Sequence, residues 1–263
     1  MTTNRIVEKF KDFRKQKAPA FMPFIVANDP NFKTSLQIAQ RISQHGDFLE
    51  IGFPYSDPLA DGPTIQAADV RALKNGATTD SVLLMIKALR KTVAIPITVL
   101  VYANLVLQAG IDEFYKRAAD SGIDGVLIPD APIEEIADFA VAANKYGIKQ
   151  IFLVAQTTDN PRLKKILKHA QGFLYLVSVL GVTGARQKFG NETQEFIRRV
   201  RKQTKLPLCV GFGVSTPEQC KAMIKAGADG VIVGSAIVDI IAKNLGKKDM
   251  LDKVSDFAKQ FEN

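Results

Sequence analysis

Two cysteines in 263 residues are too few for a disulfide framework. Cys209 and Cys220 also lack the spacing of a metal-binding set, so they read as buried thiols of a protein kept in a reducing cytoplasm. No apolar run approaches the roughly 20 residues that a bilayer span requires, which argues against a membrane protein. The first residues, MTTNRIVEKFKDFRKQK, lack the uninterrupted apolar core of a secretory leader and space their apolar residues like an amphipathic helix. There is no long polar tract, so disorder is not expected. An early G-x-G-x-x-G is also missing, and with it the signature of a dinucleotide-binding open sheet.

Acidic residues are the scarcer sign, leaving a net charge of +8. The basic residues do not form a nucleic-acid stripe, because segments such as RLKKILKH and RRVRKQTK carry apolar stripes as well. They read as solvated helix faces that add attraction for a small anionic substrate.

What is present is a chain 46% hydrophobic, organised by alternation. MPFIVA, DFLEIG, PITVLV, DGVLIP, KQIFLVA, FLYLVS, LCVGFG and GVIVGS are eight short apolar, β-branched runs. Helix-period segments follow at 32–45, 65–91, 110–121, 133–146, 162–170, 193–203, 217–226 and from 236 onward. QHGD, DSGID, KYGIK and KAGAD each place a glycine where a helix ends before the next strand. Strands apolar on both faces are buried on both faces. The pattern predicts one α/β domain over residues 1–263, a (β/α)8 TIM barrel with an extra N-terminal helix; a doubly wound open sheet is the alternative.

In such a barrel the chemistry gathers where each strand stops. Glu50 lies within the second run, where desolvation would raise its pKa and suit it to proton transfer; a structural carboxylate paired with a cation is the alternative. The following loop, GFPYSDPLADGP, is stiffened by Pro54, Pro58 and Pro63 and carries Asp57 and Asp61, either as functional groups or as turn caps. Tyr102 and Asn104 follow the third run, Asp130 the fourth, and Tyr175 and Ser178 sit in the sixth. VGFGVST and VGSAIV each run from a glycine into a helix, so Gly213, Gly234 and Ser235 make a candidate phosphate site. GVTGARQKFGNET reads as a lid whose Thr183 and Gly184 cover the ligand.

LEIGFPYSDPLADGPTIQ, VYANLV, DGVLIPDAPIEE, YLVSVLGVTGAR, VGFGVSTPEQ and DGVIVGSAIV together resemble the tryptophan synthase α subunit family, in the same order and over nearly the whole chain. The resemblance implies a lyase that cleaves (1S,2R)-1-C-(indol-3-yl)glycerol 3-phosphate to indole and D-glyceraldehyde 3-phosphate. It implies Glu50 and Asp61 as catalytic, Phe21, Leu100, Leu127, Tyr175 and Phe212 as walls of the indole pocket, and Gly184, Gly213, Gly234 and Ser235 as the phosphate site. It further implies no cofactor, and a pyridoxal-phosphate-dependent β subunit as partner in an α2β2 heterotetramer. The loop tip with Tyr55 and Asp57 has residue types suited to that contact. Two positions depart from the family pattern: Val179 stands where arginine is common at the lid base, and Asn28 where glycine is usual. Another phosphate-binding barrel, an isomerase or aldolase, and a non-catalytic regulatory subunit are the competing readings.

Overall fold

A computed structural model describes residues 4–16, 18–177, 191–211 and 213–262. Eight parallel strands close into a barrel in chain order: β1 (Ala20–Val26), β2 (Leu49–Gly52), β3 (Ile97–Leu100), β4 (Gly125–Leu127), β5 (Lys149–Ala155), β6 (Leu174–Val177), β7 (Leu208–Gly211) and β8 (Gly230–Val233), with β8 pairing back onto β1. Around it lie α2 (Phe32–Ile42), α3 (Pro63–Lys74), α4 (Thr79–Leu89), α5 (Ala103–Ala109), α6 (Ile111–Asp120), α7 (Ala137–Lys145), α8 (Asn160–His169), α9 (Asn191–Arg201), α10 (Pro217–Lys225), α11 (Ser235–Lys243) and α12 (Met250–Lys259).

Three helical segments differ from the sequence pattern. The apolar period over 65–91 is broken into α3 and α4, because Gly76 takes φ +81° and Thr78 opens a new helix through a capping box with Ser81. A short helix, α5, follows β3 where the pattern shows only a connector. The segment from 236 onward is two helices, α11 and α12, separated at Gly246 with φ +73°.

Strand alternation sorts side chains into two cores. On β1 the odd positions Phe21 and Ile25 pack outward under the helices, and the even positions Met22 and Phe24 point into the barrel. Glu50 is in register with Phe24 on one side and Thr98 on the other, which places its side chain inside as well.

The end of the barrel where the strands begin is closed by α1 (Arg5–Gln16), the expected extra helix. Ile6, Phe10 and Phe13 are its buried face; Phe10 lies 4.8 Å from the ring of Phe48 and 6.0 Å from that of Phe173. Gly125 makes room for it, since a Cβ there would come within 2.8 Å of Ile6 Cδ1. Arg5 and Arg90 both bind Asp124, each at 2.9 Å, tying α1 to the strand bases. Phe10→Ala is expected to lower stability by about 3–5 kcal/mol, read as the urea midpoint, because a large ring leaves a cavity that its neighbours only partly fill.

Candidate active site

At the opposite end, Phe24, Asp61, Gly62, Thr64, Ile65, Leu100, Tyr175, Gly213, Ile232, Gly234 and Ser235 line a cavity. Its lining combines the apolar Phe24, Ile65, Leu100 and Ile232 with the Asp61 carboxylate, Thr64, Tyr175 and Ser235, and it meets the first turns of both α3 and α11.

Glu50 lies beside this cavity, fully buried, and neither carboxylate oxygen has a hydrogen-bond partner among the described residues. No cation faces it. Burial first, and then the negative charge of Asp61, push its pKa up from 4.5 to about 8, so it holds its proton at neutral pH. Among the described residues the alternative of a structural ion pair finds no support.

Asp61 is also buried, at 7% exposure. Burial raises its pKa, and what opposes this is the Tyr102 hydroxyl, which donates to Asp61 Oδ2 at 2.7 Å. Tyr102 also accepts the Ala60 N–H at 3.1 Å, and its ring stacks on Tyr55 at 4.9 Å. Asn104 donates to the Tyr55 hydroxyl, and Gln66 donates to the Asp61 carbonyl at 2.8 Å. The loop is therefore held at several points, and the turn-cap reading does not account for the Asp61 side chain.

The helix α11 begins at Gly234 with no side-chain cap and no acid in its first turn, so its N–H groups face the cavity beside Ser235. By contrast, α10 caps itself through Thr216 and Gln219. An anion entering the cavity meets free donors at α11. Gly213, with φ +84°, completes this side in a backbone conformation that favours glycine.

A family model of the tryptophan synthase alpha chain matches residues 10–263. The chain belongs to the tryptophan synthase alpha chain family. The alpha chain of Methanothermobacter thermautotrophicus is 51% identical over 248 residues, covering 94% of this chain and 92% of that one. That of Methanoregula boonei is 51% identical over 242 residues, covering 92% and 91%. Among solved structures, the alpha subunit from Legionella pneumophila superposes with a TM-score of 0.91 at 33% identity, over 99% of this chain and 97% of that one. An alpha subunit in the a2b2 complex of Pyrococcus furiosus does so with a TM-score of 0.87 at 35% identity, over 92% and 97%.

The residues that the family pattern singled out in the sequence are not all brought together. Leu100, Tyr175, Gly213, Gly234, Ser235 and Asp61 line the cavity. Leu127 is inside the barrel but does not line it. Phe21 is corrected: it faces outward and stacks on Phe261 at 4.9 Å, and the aromatic wall from β1 is Phe24. Every position of AFMPFIV is apolar or proline, so the run carries no parity signal to show which face turns inward. Ile232, Thr64 and Ile65 were missed for the same lack of a local signal. Asp130 is exposed and accepts the Ala103 N–H, outside the cavity. Asn28 keeps φ +61° and donates to Ser81 at 2.7 Å, so this turn is accommodated without glycine. Ser178, Val179, Thr183, Gly184 and Phe212 lie outside the described residues.

The Glu50 proton has a consequence for stability. Its folded pKa lies above the ordinary value, so the ionised folded form is penalised, and stability is lost as pH rises from about 4.5 through about 8. Glu50→Gln lacks that dependence. Its melting temperature minus that of the parent is expected to increase by roughly 5 °C or more between about pH 5 and about pH 8. A difference independent of pH in paired thermal melts would show that Glu50 does not retain its proton.

Proposed function

We propose that this chain cleaves indole-3-glycerol phosphate to indole and glyceraldehyde 3-phosphate, and the observation that carries this reading is the protonated, unpartnered Glu50 within electrostatic reach of Asp61. A retro-aldol cleavage needs C3 of the indole protonated, the hydroxyl on the adjacent side-chain carbon deprotonated, and the resulting cation at the ring nitrogen stabilised. Glu50 supplies its proton to C3, and the carboxylate so formed takes the hydroxyl proton as the carbon–carbon bond breaks. The electrons of that bond return to the ring, which needs no other acceptor. Asp61 accepts the indole N–H and stabilises the cation, with Tyr102 fixing its orientation. Phe24, Leu100 and Tyr175 flank the indole, and Gly213, Gly234, Ser235 and the α11 N-terminus hold the phosphate.

The loop tip gives a place for a partner. Tyr55 is half-buried, Ser56 and Asp57 are exposed, and Leu59 is 94% exposed, an unusual position for a large apolar side chain. We place a tryptophan synthase β subunit on this tip, in an α2β2 assembly like that named for Pyrococcus furiosus. Docking there orders the same loop that carries Asp61 at its base. No helix among the described residues is long and apolar enough to cross a membrane; reduced thiols suit a cytoplasmic enzyme.

Three measurements test these assignments. Purified chain incubated with indole-3-glycerol phosphate is expected to release indole, with kcat lowered about a thousandfold or more in Glu50→Gln and strongly in Asp61→Asn. Near-parental turnover by folded Glu50→Gln would remove Glu50 from the chemistry. Ser235→Asp is expected to weaken binding of glycerol 3-phosphate at least about tenfold without loss of stability, since an acid at a helix N-terminus repels a dianion while favouring the helix itself. Unchanged affinity by calorimetry would move the phosphate elsewhere. Added β subunit is expected to activate the parent more than Asp57→Ala; equal activation of both would take the signal away from this loop.

A further inference from the structure

Asp29 and Arg71 take no part in the reaction above and neither lines the cavity, yet they join two of the elements that wall it. Asp29 lies just past the end of β1, the strand that presents Phe24 to the cavity. Arg71 lies on α3, whose first turn presents Thr64 and Ile65. The Arg71 guanidinium donates twice, Nε to Asp29 Oδ1 and Nη2 to Asp29 Oδ2, both at 2.8 Å, and the aspartate is 2% exposed. A two-pronged bond of this kind fixes distance and angle together, as a point charge does not. Asn75, at the end of the same helix, donates to the Pro30 carbonyl at 2.8 Å and ties the same turn a second time.

Apolar packing between the two elements leaves their alignment to these polar contacts. The inward face of α3 carries Ala68 and Ala72, which join Phe24 and Val26 in the interior cluster. A methyl group buries little area and offers no ridge to seat in a groove, so it sets how near the helix comes but not where it slides or turns. From Arg71 the placement is carried along a continuous helix, at 1.5 Å of rise per residue roughly 9 Å, to Ile65. Gln66, the next residue, donates to the Asp61 carbonyl at 2.8 Å. We propose that Asp29 and Arg71 are positioning residues for the cleavage: their bidentate pair fixes α3 against the end of β1, and so sets where the Asp61 segment, Thr64 and Ile65 stand relative to Phe24. The inference rests on the role given to Asp61 above and extends it to two side chains that do not reach the substrate.

Removing one partner of a buried pair lowers stability whatever its function, so turnover per folded molecule is the measurement that decides. Parent, Asp29→Asn, Arg71→Lys and the double variant are compared in steady-state cleavage of indole-3-glycerol phosphate, well below their melting midpoints, and in calorimetric binding of glycerol 3-phosphate. Each single variant is expected to lose at least about fivefold in kcat while its affinity for glycerol 3-phosphate stays within about threefold, because the phosphate donors lie on α11. The double variant is expected to fall within about twofold of the weaker single one, since both changes cut the same link. Where Asp29→Asn does not fold, Asp29→Glu, which keeps the charges paired but moves the carboxylate by one methylene, is read in the same way. Parental kcat in the folded single variants, losses that multiply in the double variant, or an equal loss of glycerol 3-phosphate affinity would overturn the positioning role. Absence of indole from the parent would instead overturn the cleavage reaction, and this inference with it.

Discussion

A carboxyl group inside a closed barrel, with no cation and no hydrogen-bond donor bound to it among the described residues, is the constraint around which the site is built. Glu50 can sit there only as a neutral acid, because an ionised carboxylate would have to be desolvated without compensation. Its proton is thus kept by the same features that keep water out: strands apolar on both faces, and the plug of Ile6, Phe10 and Phe13 under the barrel. Water admitted at either end would return the group to an ordinary carboxylate. The packing of a helix far from the substrate cavity and the proton-transfer chemistry are in this sense linked.

The second carboxylate is treated differently. Asp61 is nearly as buried and burial raises its pKa too, but the Tyr102 hydroxyl donates to it and opposes that rise, as no bond does at Glu50 among the described residues. Two acids of the same chemical type thereby differ by one hydrogen bond, present at one and absent at the other among the described residues. The loop between them carries this difference, since Ala60, Tyr55 and Tyr102 are joined before any ligand arrives.

A similar contrast separates two helix starts. Thr216 and Gln219 satisfy the first turn of α10 internally, while α11 leaves its first N–H groups uncapped beside Gly234 and Ser235. The proposed anion site thus rests on an omitted cap rather than on an added charge among the described residues. No lysine or arginine lines the cavity among the described residues.

Much of this was written locally. Eight apolar runs with helical segments between them specify a parallel barrel, since strands buried on both faces need covering on both faces. The placement of Glu50 in such a run, and of Asp61 in a proline-stiffened loop after it, made both carboxylates legible as unusual. Glycine followed directly by a helix marked the anion site. What the sequence left open were quantities set by pairing across strands. Uniformly apolar β1 does not reveal that Phe24 rather than Phe21 faces inward; the register of Phe24 with Glu50 decides it. Nor does a loop sequence reveal that Asp61 is buried against a tyrosine 41 residues away. Composition and periodicity act over a few residues, so they determined the elements and the chemical types available. The ionisation state of each acid depends on neighbours brought from distant parts of the chain, and only the closed barrel supplied them.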